Sequence, residues 1–297
     1  MSGLGISQLP KSASKYRKGI LETDFESIDQ ARAEDALRAR RLKSPANSKS
    51  DLLDQDATAK LAKRLKRSAT SAKFPRSLAS ARYFRKQRLD VISPLWALAH
   101  HQSAAPINAA TVISGKWTIS PEDLMDLDPN KLLNGFRSDL NRCGAGEADG
   151  ALIAFLHGEF EPNRRLYQPH CHLLAFGGMS NVLVRLRDLE KYKPVRGDEP
   201  GTLPIARPIQ IEFRSLSNMP LPLTYLLKSY WPSRWVSDLR PDGSYDRQHG
   251  TARITEPYHS QVLLWHDLWR LEDVSLMMGM FASKDGLKLR NPIRGGQ

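Results

Sequence analysis

Gln168-Pro169-His170-Cys171-His172-Leu173-Leu174-Ala175-Phe176 is the stretch on which both the fold and the chemistry of this chain turn. Its apolar second half, opened by Pro169, has the composition of a β-strand that follows a turn. Side chains alternate between the faces of a strand, so His170 and His172 project together while Cys171 points the other way, into apolar packing. Two imidazoles on one face can share a metal ion. Upstream, Ala151 to Phe160 reads as a second strand, joined to His170–Phe176 as a hairpin through Glu161 to Pro169. His157, Glu159 and Glu161 alternate along it, and antiparallel pairing brings their face alongside the two histidines. Glu159 is the first choice for a third ligand, because it lies inside the strand and its carboxylate suits a hard divalent cation such as Mg²⁺ or Mn²⁺. Glu161, nearer the turn, and His157, more remote, are the alternatives. Two imidazoles and a carboxylate leave coordination positions open, as a catalytic centre requires.

Working outward, Ala110 to Ile119 reads as a strand, and Ser120-Pro121-Glu122-Asp123 as a helix start with a Ser cap, Pro in the first turn and acids at the positive dipole end. Helix should continue toward Arg142, with a glycine-punctuated loop from Gly144 to Gly150. Ser180 to Tyr192 is expected to be helical, Ile209 to Ser215 a strand with alternating Ile209, Ile211 and Phe213, and Pro220 to Trp231 a helix. Tyr258 to Phe281 carries apolar residues at roughly helical spacing and is expected to form one long helix. This order predicts an α+β domain, a central antiparallel sheet with helices packed against it.

Residues 1–100 hold 21 Lys and Arg against 10 Asp and Glu, and the remainder 23 against 22, so nearly all of the net charge of +12 lies in the first third. That third is rich in Ser, Ala, Lys and Arg, with sparse apolar residues, and the reading is a basic, largely disordered extension over residues 1–90. Asp24 to Leu42 and Leu52 to Arg67 are its two helix-competent pieces, the second carrying Lys60, Lys63, Arg64, Lys66 and Arg67. Phe74 to Arg88 interleaves Phe74, Tyr83 and Phe84 with Arg76, Arg82, Arg85, Lys86 and Arg88, a pattern suited to nucleic acid, so Arg82, Arg85, Lys86 and Arg88 are the candidate phosphate contacts. The core is expected to start near Ser93, giving a domain over 91–235 and a loop plus helical extension over 236–297. No run of about 18 apolar residues marks a membrane span, the N-terminus lacks the apolar centre of a secretory signal, and two cysteines without CxxC spacing suit a reducing compartment, the cytoplasm.

Tyr225 and Lys228, in Tyr225-Leu226-Leu227-Lys228, stand one helical turn apart on the expected helix, so both can face one site, whereas Tyr230 falls on another face. In this order, His170-Cys171-His172 and Tyr225-Leu226-Leu227-Lys228 resemble the His-hydrophobic-His and Tyr-x-x-Lys motifs of the HUH endonucleases, the superfamily of rolling-circle replication initiators, relaxases and single-strand transposases. The resemblance covers about residues 107–232, and Pro169 before the first histidine is also frequent in bacterial and phage replication proteins. It implies a divalent metal held by His170, His172 and Glu159, attack of Tyr225 on a phosphate of single-stranded DNA at a replication origin, and Lys228 as its helper, with Tyr230 leaving a two-tyrosine scheme open. A bacterial host cell, with its helicase and polymerase as partners, follows from the same resemblance, since the chain has no Gly-x-x-x-x-Gly-Lys-Ser/Thr motif of its own. A nucleic-acid-binding protein with structural histidines and a small-molecule metalloenzyme are the competing classes.

Overall fold

The computed structural model describes residues 6, 14–23, 25–102, 106–213, 216, 219–238, 240, 242, 244–248 and 252–290. Five helices come first: α1 (Ser14–Leu21), α2 (Ile28–Arg41), α3 (Pro45–Ser48), α4 (Gln55–Thr70) and α5 (Ala81–His101). Each long helix has a side-chain cap. Ser27 and Gln30 form a reciprocal capping box on α2, Asp54 accepts from Ala57 N–H on α4, and Ser80 accepts from Tyr83 N–H on α5.

The extension expected to be disordered is therefore folded over its described part, residues 1–5, 7–13 and 24 lying outside the described residues. Low apolar density misled because α2 and α4 bury small residues. Ala39 of the first and Leu42 at its C-cap share an apolar cluster with Leu61, Ala62 and Leu65 of the second, and alanines at the contact let the backbones approach closely. Polar groups complete the joint. The buried Asp35 carboxylate accepts from the Ser68 and Ser80 hydroxyls and from Ala81 N–H, tying α2, α4 and α5 together. The core also begins earlier than Ser93, with Leu78, Phe84, Leu89, Val91 and Ile92 in the main apolar cluster.

Next come β1 (Ile107–Ile113), α6 (Pro129–Arg142), β2 (Gly150–Glu161), β3 (Leu166–Gly177), α7 (Met179–Arg185), β4 (Ile209–Glu212), α8 (Leu221–Thr224), β5 (Pro232–Ser233), β6 (Ala252–Arg253), α9 (Tyr258–Leu268) and β7 (Ser275–Met278). One sheet runs β4-β1-β3-β2-β5-β6, with β7 also paired to β2. All its pairings are antiparallel except β2 with β5. A separate hairpin, β8 (Met280–Ser283) with β9 (Gly286–Leu289), follows. The chain is thus α+β, with helices packed on a largely antiparallel sheet, as its pattern predicts. Strand β4 ends at Glu212; Arg214 and Ser215, the end of the expected strand, lie outside the described residues.

Several expected helices are shorter than their spacing suggested: α6 starts at Pro129, capped by Asp128, rather than at Ser120, and of Ser180–Tyr192 only the part to Arg185 is α-helical. The long C-terminal helix stops at Leu268, and its remaining apolar residues form β7, whose Leu276 and Met278 face Ala154 and Leu152 across the ladder. Gly279 then takes φ +66°, and a Cβ there would lie 2.2 Å from the Gly150 carbonyl oxygen, so the chain can turn away from β2 only with glycine at this position. The expected Pro220–Trp231 helix shrinks to the four residues of α8; Pro220 and Pro222 lie at its start, where a missing N–H costs no helix bond, whereas Pro232 disfavours helix at Trp231.

If α4 is part of the fold, removing apolar volume from it must cost stability. Leu65→Ala, at a fully buried position, should lower the free energy of unfolding by about 2–5 kcal/mol in urea titration. A disordered extension would show no change.

Candidate metal centre and its tyrosine

The β2–β3 ladder places Phe155 opposite His172, His157 opposite His170, and Glu159 opposite Gln168, all on one face. On the other side of β3, Thr111 of β1 stands opposite His172. This register makes His157, rather than Glu159, the third member of the cluster: ligand-capable atoms of His157, His170 and His172 lie within 4.8 Å of one another. His170 Nε2 is 3.2 Å from His157 Nδ1 and 3.2 Å from His172 Nε2. Two nitrogens bound to one ion at ~2.0–2.1 Å and a tetrahedral angle stand roughly 3.3 Å apart, so the spacing is that of a ligand set.

The outer nitrogens fix the tautomers. His157 Nε2–H donates to the Tyr230 carbonyl at 2.8 Å, and His170 Nδ1–H donates to the Gln168 carbonyl at 3.1 Å. His157 Nδ1 and His170 Nε2 therefore face each other with lone pairs and no proton between them. His172 Nδ1 is 3.1 Å from Thr111 Oγ1, whose hydroxyl can donate or accept, but neither choice relieves the His157–His170 pair. A cation bound by both nitrogens turns this repulsion into attraction, and outer hydrogen bonds to carbonyls are the usual support of metal-binding imidazoles.

A proton is a poor candidate for that cation. Burial, then the positive charge that His170 or His172 would carry, pushes His157 well below the ordinary imidazole range. Burial likewise brings His170 down to about 3 and His172 down to about 2. All three are neutral, as metal ligation requires.

Glu159 is nearby but otherwise engaged. Its carboxylate pairs with Arg247 and lies 3.6 Å from Arg234 Nε. Glu161, the other carboxylate alternative, accepts from Arg164 N–H in the hairpin turn and from Val236 N–H, and so shapes the loops. Lys228, Arg234 and Arg247 surround Glu159, which leaves an excess of positive charge beside the histidines. Lys228 is itself lowered from the ordinary lysine range, by burial first and by Arg234 second.

Tyr225 and Lys228 do reach this face, by a route other than the expected helix. A cleft of about 340 Å³ is lined by Thr111 and His172 on the sheet side and by Tyr225 and Lys228 on the other. Tyr225 is 63% exposed, and Lys228 Nζ lies 5.5 Å from the centre of its ring. Tyr230 does not line the cleft; its contribution is the carbonyl that holds His157.

Three buried contacts hold the segment between α8 and β5 where a helix would have used its own N–H groups. Arg88 donates to the Thr224 carbonyl at 3.1 Å, Arg38 donates to the Ser229 carbonyl at 2.9 Å, and the Trp231 ring lies flat on Gly158. A Cβ at Gly158 would sit 2.6 Å from that ring, so the strand residue between His157 and Glu159 has to be glycine. Sequence reading missed Arg38, which is 1% exposed, and assigned Arg88 to nucleic acid. The other members of that set are also engaged within the protein: Arg82 donates to the carbonyls of Ser68, Ser71 and Ala72, Arg85 donates to the Glu26 carbonyl, and Lys86 pairs with Asp90. Arginine beside aromatic residues is as characteristic of helix packing as of nucleic-acid contact, and Phe25 under Arg88 and Phe74 under Arg82 are such packing.

No protein-family model, curated protein or solved structure matches the chain. Among the described residues, no helix is long and apolar enough to cross a membrane.

The neutral histidines make stability depend on pH with a definite sign. An unfolded histidine titrates near 6.5, while His170 and His172 stay neutral to about 3 and 2, so the unfolded chain takes up protons first. Their contribution is complete above pH ~6.5 and is lost as pH falls below it. In chelator, the urea midpoint should drop between pH 7 and 5, and His172→Gln should flatten that drop.

Proposed function

We propose that this chain is a metal-dependent enzyme that nicks and joins single-stranded DNA through a tyrosine, of the HUH type, and that it initiates rolling-circle replication of a plasmid or phage in a bacterial cytoplasm. The observation that carries this reading is the convergence of His172, Tyr225 and Lys228 on one cleft, whose wall continues into the His157–His170–His172 cluster. Sheet order supports it too, because the His-Cys-His strand is internal, flanked by β1 and β2.

Three neutral imidazoles suit a divalent ion of borderline softness better than a hard one, so of the two expected metals the donor set favours Mn²⁺ over Mg²⁺. Bound there, the ion supplies Lewis-acid polarisation of a phosphate oxygen. The remaining work falls to the chain's own residues. Lys228, which lines the cleft, draws the DNA phosphate in and offsets the charge that grows on its oxygens, while Arg234 and Arg247, paired with Glu159, add to the positive field beside it. Tyr225 Oη attacks phosphorus, forming an O–P bond as the bond from phosphorus to the 3′ oxygen breaks. The phenol proton leaves to solvent, and the departing 3′ oxygen takes up one proton. Lys228, beside the Tyr225 ring, stabilises the phenolate. The products are a 5′-phosphotyrosine and a free 3′-hydroxyl that a host polymerase can extend, and reversal of the same step rejoins the strand. A host helicase would open the duplex.

The test is adduct formation with single-stranded DNA in Mn²⁺, read as a shifted band on a denaturing gel. Wild type should trap DNA, Tyr225→Phe should trap none, and Tyr230→Phe should behave as wild type. Persistence of the adduct in Tyr225→Phe would remove Tyr225 as nucleophile, and a wild type that never traps or cuts DNA would overturn the reading.

A further inference from the structure

Helix α4 carries a basic face that the proposed reaction does not use. Lys60, Lys63, Arg64 and Arg67 follow the i, i+3, i+4, i+7 pattern of one helical stripe, spanning about 10 Å, opposite the buried Leu61 and Leu65. Asp56 stands one turn before Lys60, and from there the stripe is wholly basic. Arg64 pairs with Asp267. The side chains of Lys63, Arg67 and Lys73 are exposed and have no ion-pair partner among the described residues.

These cations border a cleft of about 450 Å³, lined by Lys63, Arg64, Arg67, Lys73, Phe74 and Pro75. Arg82 ties the carbonyls of Ser68, Ser71 and Ala72 together and holds its guanidinium 4.8 Å from the Phe74 ring centre. The cleft is of a size that holds a small ligand or a few linked groups. Lys63 and Arg67, one helical turn apart, with Lys73, Phe74 and Pro75 lining the same cleft, match phosphates linked through bases and sugars. A membrane surface fits less well, because the large exposed apolar side chains lie elsewhere.

We infer that the α4 cleft binds the phosphate backbone of a single-stranded nucleic acid, independently of the histidine centre. Sequence-independent grip of this kind would come from Lys63, Arg67 and Lys73, with Phe74 as an apolar platform. It also gives the N-terminal third a nucleic-acid contact apart from Arg82, Arg85, Lys86 and Arg88, whose cations are engaged within the protein.

The experiment is fluorescence anisotropy of a short labelled oligo(dT) with the full chain in EDTA, so that neither metal binding nor nicking enters. Wild type should bind, with affinity falling steeply as KCl rises. Lys63→Glu/Arg67→Glu/Lys73→Glu should weaken binding at least roughly tenfold near 100 mM salt and lower the slope of log K against log salt by about 2. A circular-dichroism melt matching wild type shows that the variant is folded; if it is not, the Gln triple variant takes its place. Unchanged affinity and slope in the folded variant would overturn the inference. So would a wild type that ignores the oligonucleotide, whether or not it binds phosphatidylserine vesicles.

Discussion

The antiparallel pairing of β2 with β3 puts His157 directly across from His170, and most of what is distinctive in this molecule depends on that register. A slip of one residue would turn His157 to the opposite face and leave two imidazoles without a third. The register is held from both sides. Cys171, Leu173 and Leu156 pack in the apolar core, whereas Thr111 and Gln168 meet the histidines and their neighbours through polar groups. The burial that makes the strands pair also strips water from the imidazoles, keeps them neutral, and leaves lone pairs facing one another across a 3.2 Å gap. Packing and chemistry thus have one cause.

A second dependence runs from the N-terminal helices to the cleft. Arg38 on α2 and Arg88 on α5 hold the carbonyls on either side of the Tyr225–Lys228 stretch, and Asp35 fastens α2 to α4 and α5. The tyrosine sits on a short, proline-bounded turn that would have little rigidity alone. Its placement beside His172 comes from buried arginines far away in sequence, so the basic first third of the chain acts largely as a frame.

What could be read from the sequence was what depends on local periodicity. The β2–β3 hairpin, the shared face of His170 and His172, the burial of Cys171 and the two helix-competent N-terminal pieces follow from alternation and helical spacing. The sequence put Glu159 ahead of His157 because strand position alone cannot reveal that Arg234 and Arg247 arrive from a distant loop and pair with the carboxylate. Disorder was expected of the first third because composition averages over a helix, and α2 and α4 bury alanines and a charged network rather than large apolar residues. The apolar residues after Leu268 fit helical spacing and strand pairing alike; the open edge of β2 decided between them.

The spacing of His157, His170 and His172 is that of a site for one divalent ion. Calorimetric titration of Mn²⁺ into chelator-treated protein measures whether the three act together. Wild type should take up one ion per chain, and His157→Ala should lose roughly 100-fold or more in affinity, since even supporting residues around a metal cost about 10–100-fold. Full-affinity, one-to-one binding in His157→Ala would take His157 out of the site and return the third position to a carboxylate.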